Sequence, residues 1–488
     1  MNKRHLAFAL LFLCALCSVL VAQATRVELF GIVRDPSDLP VSGATVQIRN
    51  VDTSLSAETT SESSGLYRFV ALLPGNYQIT VRKEGFSVLK RSGLTLRVGE
   101  QVPVDLSLMI GNLSQSVEVS EAAPLLQDVR GTVSFTASKE QVATLPLDGR
   151  NFIPLIALSP GVMLPPASTL PRINGSRPRT SEYIYDGVSV LQPEPGQVAY
   201  FPVPDAIEEF RVETNSYSAE YGRSNGGVIM VNHKAGTNQF HGSVFEFFRN
   251  EALNARNVFA TTGPKPRFRR NQYGFVLGGP IQTDKTFFFT DYQGTRLQTG
   301  VVRTSTVPTS LQHQGIFSNT IIDPTTRTPF NGNQIPQNRW DSAGASLLAR
   351  YPLPNVFTAT GAEGTANNYT RVANETTNQD QFGIRIDRVL NPRQRLFGRY
   401  EFLHDNSIPS TPFEAGDGNI TTGIIADTTT NAHSLALDHT WTVANDKVNQ
   451  LRFGYTRRGF GRASMQGDVP AAIASGLRRS AEVFQRKR

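Results

Sequence analysis

The sequence predicts a mainly β protein in three parts: a small β-sandwich, a compact α/β unit, and an incomplete antiparallel sheet of membrane-barrel character. Two observations carry the prediction. Short segments rich in Val, Ile and Tyr, punctuated by Gly, Pro and Asp, fill the first hundred residues. In the second half, stretches near 240–249, 271–278, 285–293, 381–390, 395–403, 433–443 and 449–457 alternate apolar and polar residues at period two. Between Ser434 and Val443, for example, Leu435, Leu437, His439, Trp441 and Val443 point one way. Ser434, Ala436, Asp438, Thr440 and Thr442 point the other, as on a pleated strand. Phe382, Ile384 and Ile386 repeat the pattern against Gln381, Gly383, Arg385 and Asp387, whose charges a protein core does not accept unpaired. A soluble sandwich also alternates, so a membrane barrel and a secreted β-domain both satisfy the periodicity.

The leader fixes the compartment. Lys3 and Arg4 precede an apolar run from Leu6 to Val21, and Ala22-Gln23-Ala24 supplies small residues, so 1–24 is expected to be a signal peptide cleaved before Thr25. Cys14 and Cys17, the only cysteines, lie inside that run, which leaves no thiol for disulfides, thiolate metal sites or nucleophilic catalysis. No later stretch reaches the ~20 apolar residues of a spanning helix. The formal charge of +7 falls to +5 without Lys3 and Arg4, too dilute to argue for nucleic acid, and no nucleic-acid-binding motif is present.

In residues 25–110, Gly31-Ile32-Val33-Arg34-Asp35 precedes Pro40 and Gly43-Ala44-Thr45-Val46-Gln47-Ile48. Gly65-Leu66-Tyr67-Arg68-Phe69, Leu73-Pro74-Gly75-Asn76-Tyr77 and Gly85-Phe86 follow. This run resembles the carboxypeptidase regulatory-like domain, a transthyretin-like sandwich of the carbohydrate-binding-like group. It departs from the family at Asp38-Leu39, where Gly is usual. Asp35, Asp38 and Asp52 lack the spacing of a calcium loop and read as turn residues.

Residues 111–236 carry Ile173-Asn174-Gly175-Ser176-Arg177 leading to Tyr185-Asp186-Gly187-Val188. They also carry Ile207-Glu208-Glu209-Phe210-Arg211-Val212 leading to Ala219-Glu220-Tyr221-Gly222-Arg223-Ser224-Asn225-Gly226-Gly227-Val228-Ile229. This segment resembles the plug domain of TonB-dependent outer-membrane receptors, with Asn174 where many members have Arg. Gly236-Thr237-Asn238-Gln239-Phe240-His241-Gly242 is similar to the entry into the first barrel strand of the Oar-like subgroup. The resemblance implies import of an extracellular ligand (a carbohydrate, peptide or chelate), energised by a TonB-type inner-membrane protein. It implies no cofactor. Ser116, Val117, Glu118, Val119 and Ser120 are similar to the segment that the energising partner contacts, and Arg177, Arg179 and Tyr183 fall at the plug apex as candidate ligand contacts. A plug that fills a lumen is expected to set Glu208, Glu209, Arg211, Glu213, Glu220 and Arg223 against inward barrel charges such as Arg385, Asp387, Arg399 and Glu401. Ordinary solvated charge is the plainer alternative.

Residues 237–470 supply the sheet, with short turns at 279–285, 391–393 and 444–447 against a long Thr, Asn and Pro-rich excursion between Arg296 and Gln379. A short helix is expected at 342–351. Such asymmetry is that of an outer-membrane barrel in contact with lipid. Seven strands do not close around a plug, and 471–488 is a basic, helix-leaning tail, so a chain truncated within the barrel is the expectation. A secreted adhesin or glycan-binding β-domain is the competing function. An enzyme is not expected: the histidines show no ligand spacing, and neither a nucleophile elbow nor a phosphate loop is present.

Overall fold

The computed structural model describes residues 27–112, 116–120, 131–166, 168–192, 196–218, 221–222, 224–255, 265–414, 426–444 and 447–464. The leader 1–24, Glu220, Arg223 and the tail 471–488 lie outside the described residues.

The sandwich is built from β1 (Val27–Arg34), β2 (Thr45–Asn50), β3 (Ser56–Thr60), β4 (Leu66–Leu72), β5 (Gly75–Arg82), β6 (Val88–Leu96), β7 (Gln101–Pro103), β8 (Leu106–Ser107) and β9 (Ser116–Ser120). One sheet runs β4-β1-β7 with β8 also on β1, and the other runs β3-β2-β5-β6-β9. Strict alternation along β1 sends Val27, Leu29 and Val33 into a core shared with Val46, Ile48, Tyr67, Ile79 and Leu94. The backbone of Val104 approaches Gly31 so closely that a Cβ there has no room, and Tyr67 donates its hydroxyl proton to the same Val104 carbonyl. At the departure from the family pattern the turn survives. Asp38 takes up a left-handed φ of 65°, and the Asp35 carboxylate accepts the N–H groups of Ser37 and Leu39.

The middle unit contains β10 (Val133–Ser138), β11 (Val162–Met163), β12 (Arg172–Ile173), β13 (Glu182–Tyr185), β14 (Val188–Ser189), β15 (Ile207–Asn215) and β16 (Val228–His233). Five of these form a sheet in the order β10-β15-β16-β13-β14. Helix α1 (Lys139–Thr144) starts at Ser138, whose side chain and that of Gln141 make a reciprocal capping box. Phe152, Ile156, Tyr185, Phe210, Ile229 and Val231 form its core.

The third part is an up-and-down sheet of β17 (His241–Asn250), β18 (Phe268–Gln282), β19 (Thr286–Ser305), β20 (Tyr369–Asn391), β21 (Gln394–Ile408), β22 (Ala426–Ala444) and β23 (Lys447–Ser464). All seven expected strands are present, and several are longer than their apolar alternation. β20 extends to 23 residues because its first half, Thr370–Asp380, is polar and pairs with β19 without any apolar face to mark it. The excursion therefore narrows to 306–368, and its helix is Ser342–Leu348. Burial is inverted relative to a soluble sheet. Ser434, Asp438 and Thr440 are at most 2% exposed, whereas Leu437, Trp441 and Val443 are 40–42% exposed. The sheet is open, with β17 and β23 at its edges. No described helix is long and apolar enough to cross a membrane.

Candidate functional site

The middle unit packs against the buried, polar face of the open sheet, and the seam between them holds the densest cluster of buried charge in the described residues. Register explains the wall. Phe289, Arg385, Arg399, Ala436 and Gly454 lie in one inward row across β19 to β23. Asp291, Gly383, Glu401, Ser434 and Thr456 form the next row. Gly383 is required there, since a Cβ would press into the carboxylates of Asp291 and Glu401.

From the middle unit, β13 and β14 are joined by a two-residue turn, Asp186-Gly187, with φ of 47° and 82°. Positive φ at both central positions defines the type I′ hairpin, which favours Asp-Gly. The turn drives Asp186 into the wall. Its Oδ1 accepts from Arg385 Nη1 at 3.1 Å, and its Oδ2 lies 2.7 Å from Arg399 Nε. His233, the last residue of β16, donates its backbone N–H to Oδ1 at 3.1 Å and places Nδ1 2.7 Å from Oδ2. Asp186 is 5% and His233 4% exposed. Burial opposes ionisation of Asp186, but His233 and the two guanidinium groups outweigh it and hold the carboxyl well below the usual carboxylate range. Burial holds the His233 imidazole below its ordinary value, with Asp186 opposing and both arginines reinforcing. Its Nδ1 is placed to donate to the aspartate. Its Nε2 faces Glu401 Oε1 at 3.7 Å and makes no hydrogen bond among the described residues.

Further contacts widen the seam. Arg399 donates to the Tyr200 hydroxyl, Arg452 to the Gly187 carbonyl at 3.1 Å, and Arg458 to Gln197 at 3.1 Å. At the opposite end of the sheet, Arg150 pairs with Asp205, donates to Gln293 at 2.9 Å and lies over the rings of Phe245 and Phe247 at 4.1 and 4.4 Å. Asp148 accepts from Arg270 at 2.6 Å and Arg249 at 3.3 Å.

The sequence named the wall residues Arg385, Asp387, Arg399 and Glu401, and these do meet the middle unit or its immediate partners. Their expected partners are corrected. Glu208 pairs with Lys139 at 2.9 Å, Arg211 pairs with Glu213 at 3.1 Å, and Glu209 turns away from the sheet to accept the Val98 N–H of the sandwich at 2.6 Å. Asp186 and His233, which the sequence reading gave no ionic role, take their place. Of the apex residues, Arg177 and Arg179 are exposed, whereas Tyr183 is 4% exposed in the core of the unit, so its side chain is not presented to solvent. Ser116–Ser120 forms strand β9 on the sandwich.

An apolar outer face, a charged inner face and a unit seated on the inner face define the class: an outer-membrane β-barrel protein. The family described as outer membrane beta barrel domain matches residues 232–485, more than half of the chain, and the chain belongs to that family. Residues 28–109 match the carboxypeptidase regulatory-like domain. Over 278 residues the chain is 31% identical to the TonB-dependent transporter Oar of Myxococcus xanthus, covering 52% of this chain and 26% of Oar. The chain is thus similar to a TonB-dependent transporter, and its barrel family places it at the outer membrane. It spans about a quarter of the length of that relative. Among solved structures, a ferric enterobactin receptor of Pseudomonas aeruginosa in complex with enterobactin aligns with TM-score 0.40 and 15% identity over 67% of this chain and 42% of the receptor. The outer membrane transporter YddB of Escherichia coli aligns with TM-score 0.43 and 12% identity over 66% and 38%.

Proposed function

We propose that the chain works as a TonB-dependent receptor: residues 1–24 export it, 111–236 form a plug seated on a barrel wall begun by 237–470, and an extracellular ligand is taken in with energy from a TonB-type inner-membrane protein. The observation that carries the reading is the buried seam at Asp186. A unit fastened to the inner wall by charge-assisted hydrogen bonds between nearly buried side chains is stable at rest, yet no covalent cross-link holds it to the wall, as a part that must shift requires. The short turns of the sheet then face the periplasm with the sandwich, and the long loops with Arg177 and Arg179 face outward as the first ligand contacts. Ser116–Ser120 is the segment the energising partner engages. The relative it matches is a transporter, not an enzyme. The alternative of a soluble adhesin is disfavoured by the row of Leu437, Phe453, Tyr400 and Tyr455, each at least 36% exposed, on the outer face.

The test is binding of the detergent-purified chain to the periplasmic domain of a TonB-type protein. Val117→Pro, which removes a backbone donor from the segment, should weaken that binding at least about tenfold. Absence of binding by the native chain, or binding indifferent to the substitution, overturns the assignment.

A further inference from the structure

The segment assigned above to the energising partner is not a free tether. It is the fifth strand of a sheet whose other four strands belong to the sandwich. β9 runs parallel to β6 in continuous register, from Val88 opposite Ser116 to Ser92 opposite Ser120. A parallel neighbour cannot arise from a hairpin. The chain leaves β6, passes through β7 and β8 on the opposite sheet, and then returns to dock on the one edge of β6 that β5 leaves open. The holder is itself anchored. Val98 donates to Glu209 of the middle unit, Arg395 of the barrel-type sheet donates to the Ala71 carbonyl at 3.2 Å, and Asn238 donates to the Asp52 carbonyl at 3.2 Å.

We infer that the sandwich is a gate on this segment: it holds Ser116–Ser120 as an edge strand, and the energising partner engages the segment only after it has left β6. The inference rests on the assignment of Ser116–Ser120 as the partner contact and adds how that contact is regulated. Five residues paired along one edge are a low-stability unit, able to open without unfolding the sandwich core. Opening exposes backbone donors and acceptors that must be paired again, and a partner that offers an extended strand supplies that pairing. Release would also uncover the edge of β6, so the sandwich changes state together with the segment.

The chain carries no cysteine beyond Cys14 and Cys17 in the leader, so an engineered disulfide reports without interference. Lys90 and Glu118 are direct cross-strand partners and both are exposed. Neighbouring strands at ~4.8 Å fall within the Cα separation that a disulfide spans. The full chain carrying Lys90→Cys and Glu118→Cys is oxidised and reduced in detergent and assayed against the periplasmic domain of a TonB-type protein. Oxidation should weaken binding at least about tenfold, and reduction should restore the native affinity. If the disulfide does not form, the pairing is wrong. If the oxidised protein binds undiminished while Val117→Pro does not bind, the assignment stands and the gate falls, because the partner then adds to the outer edge of β9. If Val117→Pro binds like the native chain, the assignment itself has failed.

Discussion

Asp186 occupies the point where the turn chemistry of one element meets the charge pattern of another. The Asp-Gly pair satisfies the hairpin locally, and the same geometry delivers a carboxylate between Arg385 and Arg399. Removing the negative charge takes an anionic partner from two buried guanidinium groups, leaving Arg385 to Asp387 and Arg399 to Tyr200 and Glu401, and breaking one partner of a buried set costs up to about 3–5 kcal/mol. Asp186→Asn is therefore expected to lower the denaturant midpoint of the intact chain and to make the middle unit cleavable by protease under conditions where the native chain resists. Equal resistance would show that the seam holds without its central charge. The wall side of this network was legible in the sequence, because Arg385 and Asp387 interrupt an otherwise apolar alternation and must face something polar. The Asp186 side was not. Its partner lies 199 residues away, and a local Asp-Gly turn looks the same whether its carboxylate meets solvent or an arginine.

At the level of the strand, period two located every strand of the membrane-type sheet but not its length. Alternation marks only the band where one face is lipid-like; beyond it, Thr and Asn of β19 and β20 pair just as well with no pattern to betray them. Nor does periodicity alone say which face is buried, since inward and outward assignments produce the same string. Burial resolves it: Asp438 is 1% exposed beside Leu437 at 42%. The neighbours Leu437 and Asp438 thus permit a sharp test of orientation. Leu437→Lys puts a charge on the outer face, where lipid raises the cost to about 2–4 kcal/mol at mid-depth and near zero at the interface. Assembly into outer membranes should fall, measured as the fraction that resists urea extraction. If the lysine variant assembles as the native chain does, that face does not meet hydrocarbon.

Across the whole molecule, the buried carboxylate of Glu209 is one of the contacts that couple the parts. The order of sandwich, middle unit and sheet was readable from motifs in sequence order, but the way they touch was not, because Glu209 reads as one more charge on an amphipathic strand. In the fold it is 6% exposed at the sandwich contact, accepting the Val98 N–H. Burial, with Glu208 beside it and Glu100 across from it, pushes its carboxyl up to about 8, against the opposing effects of the Val98 N–H and Arg97. The folded state thus retains a proton that the unfolded carboxyl, near the ordinary value of 4.5, has already lost. Between those two values the native form binds more protons, so its stability falls as pH rises, and the loss is complete above about pH 8. Docking of the sandwich is accordingly expected to be firm at pH 5 to 6 and weakened by pH 9. Glu209→Gln keeps the acceptor for Val98 but cannot ionise, so the same transition should become flat across that range. Hydrogen exchange at the Val98 amide, compared with thermal unfolding of the full chain at each pH, measures both. A native chain whose Val98 protection is indifferent to pH while the glutamine variant behaves identically would place the coupling between sandwich and seam on other contacts, of which the Arg395 and Asn238 bonds are the ones at hand.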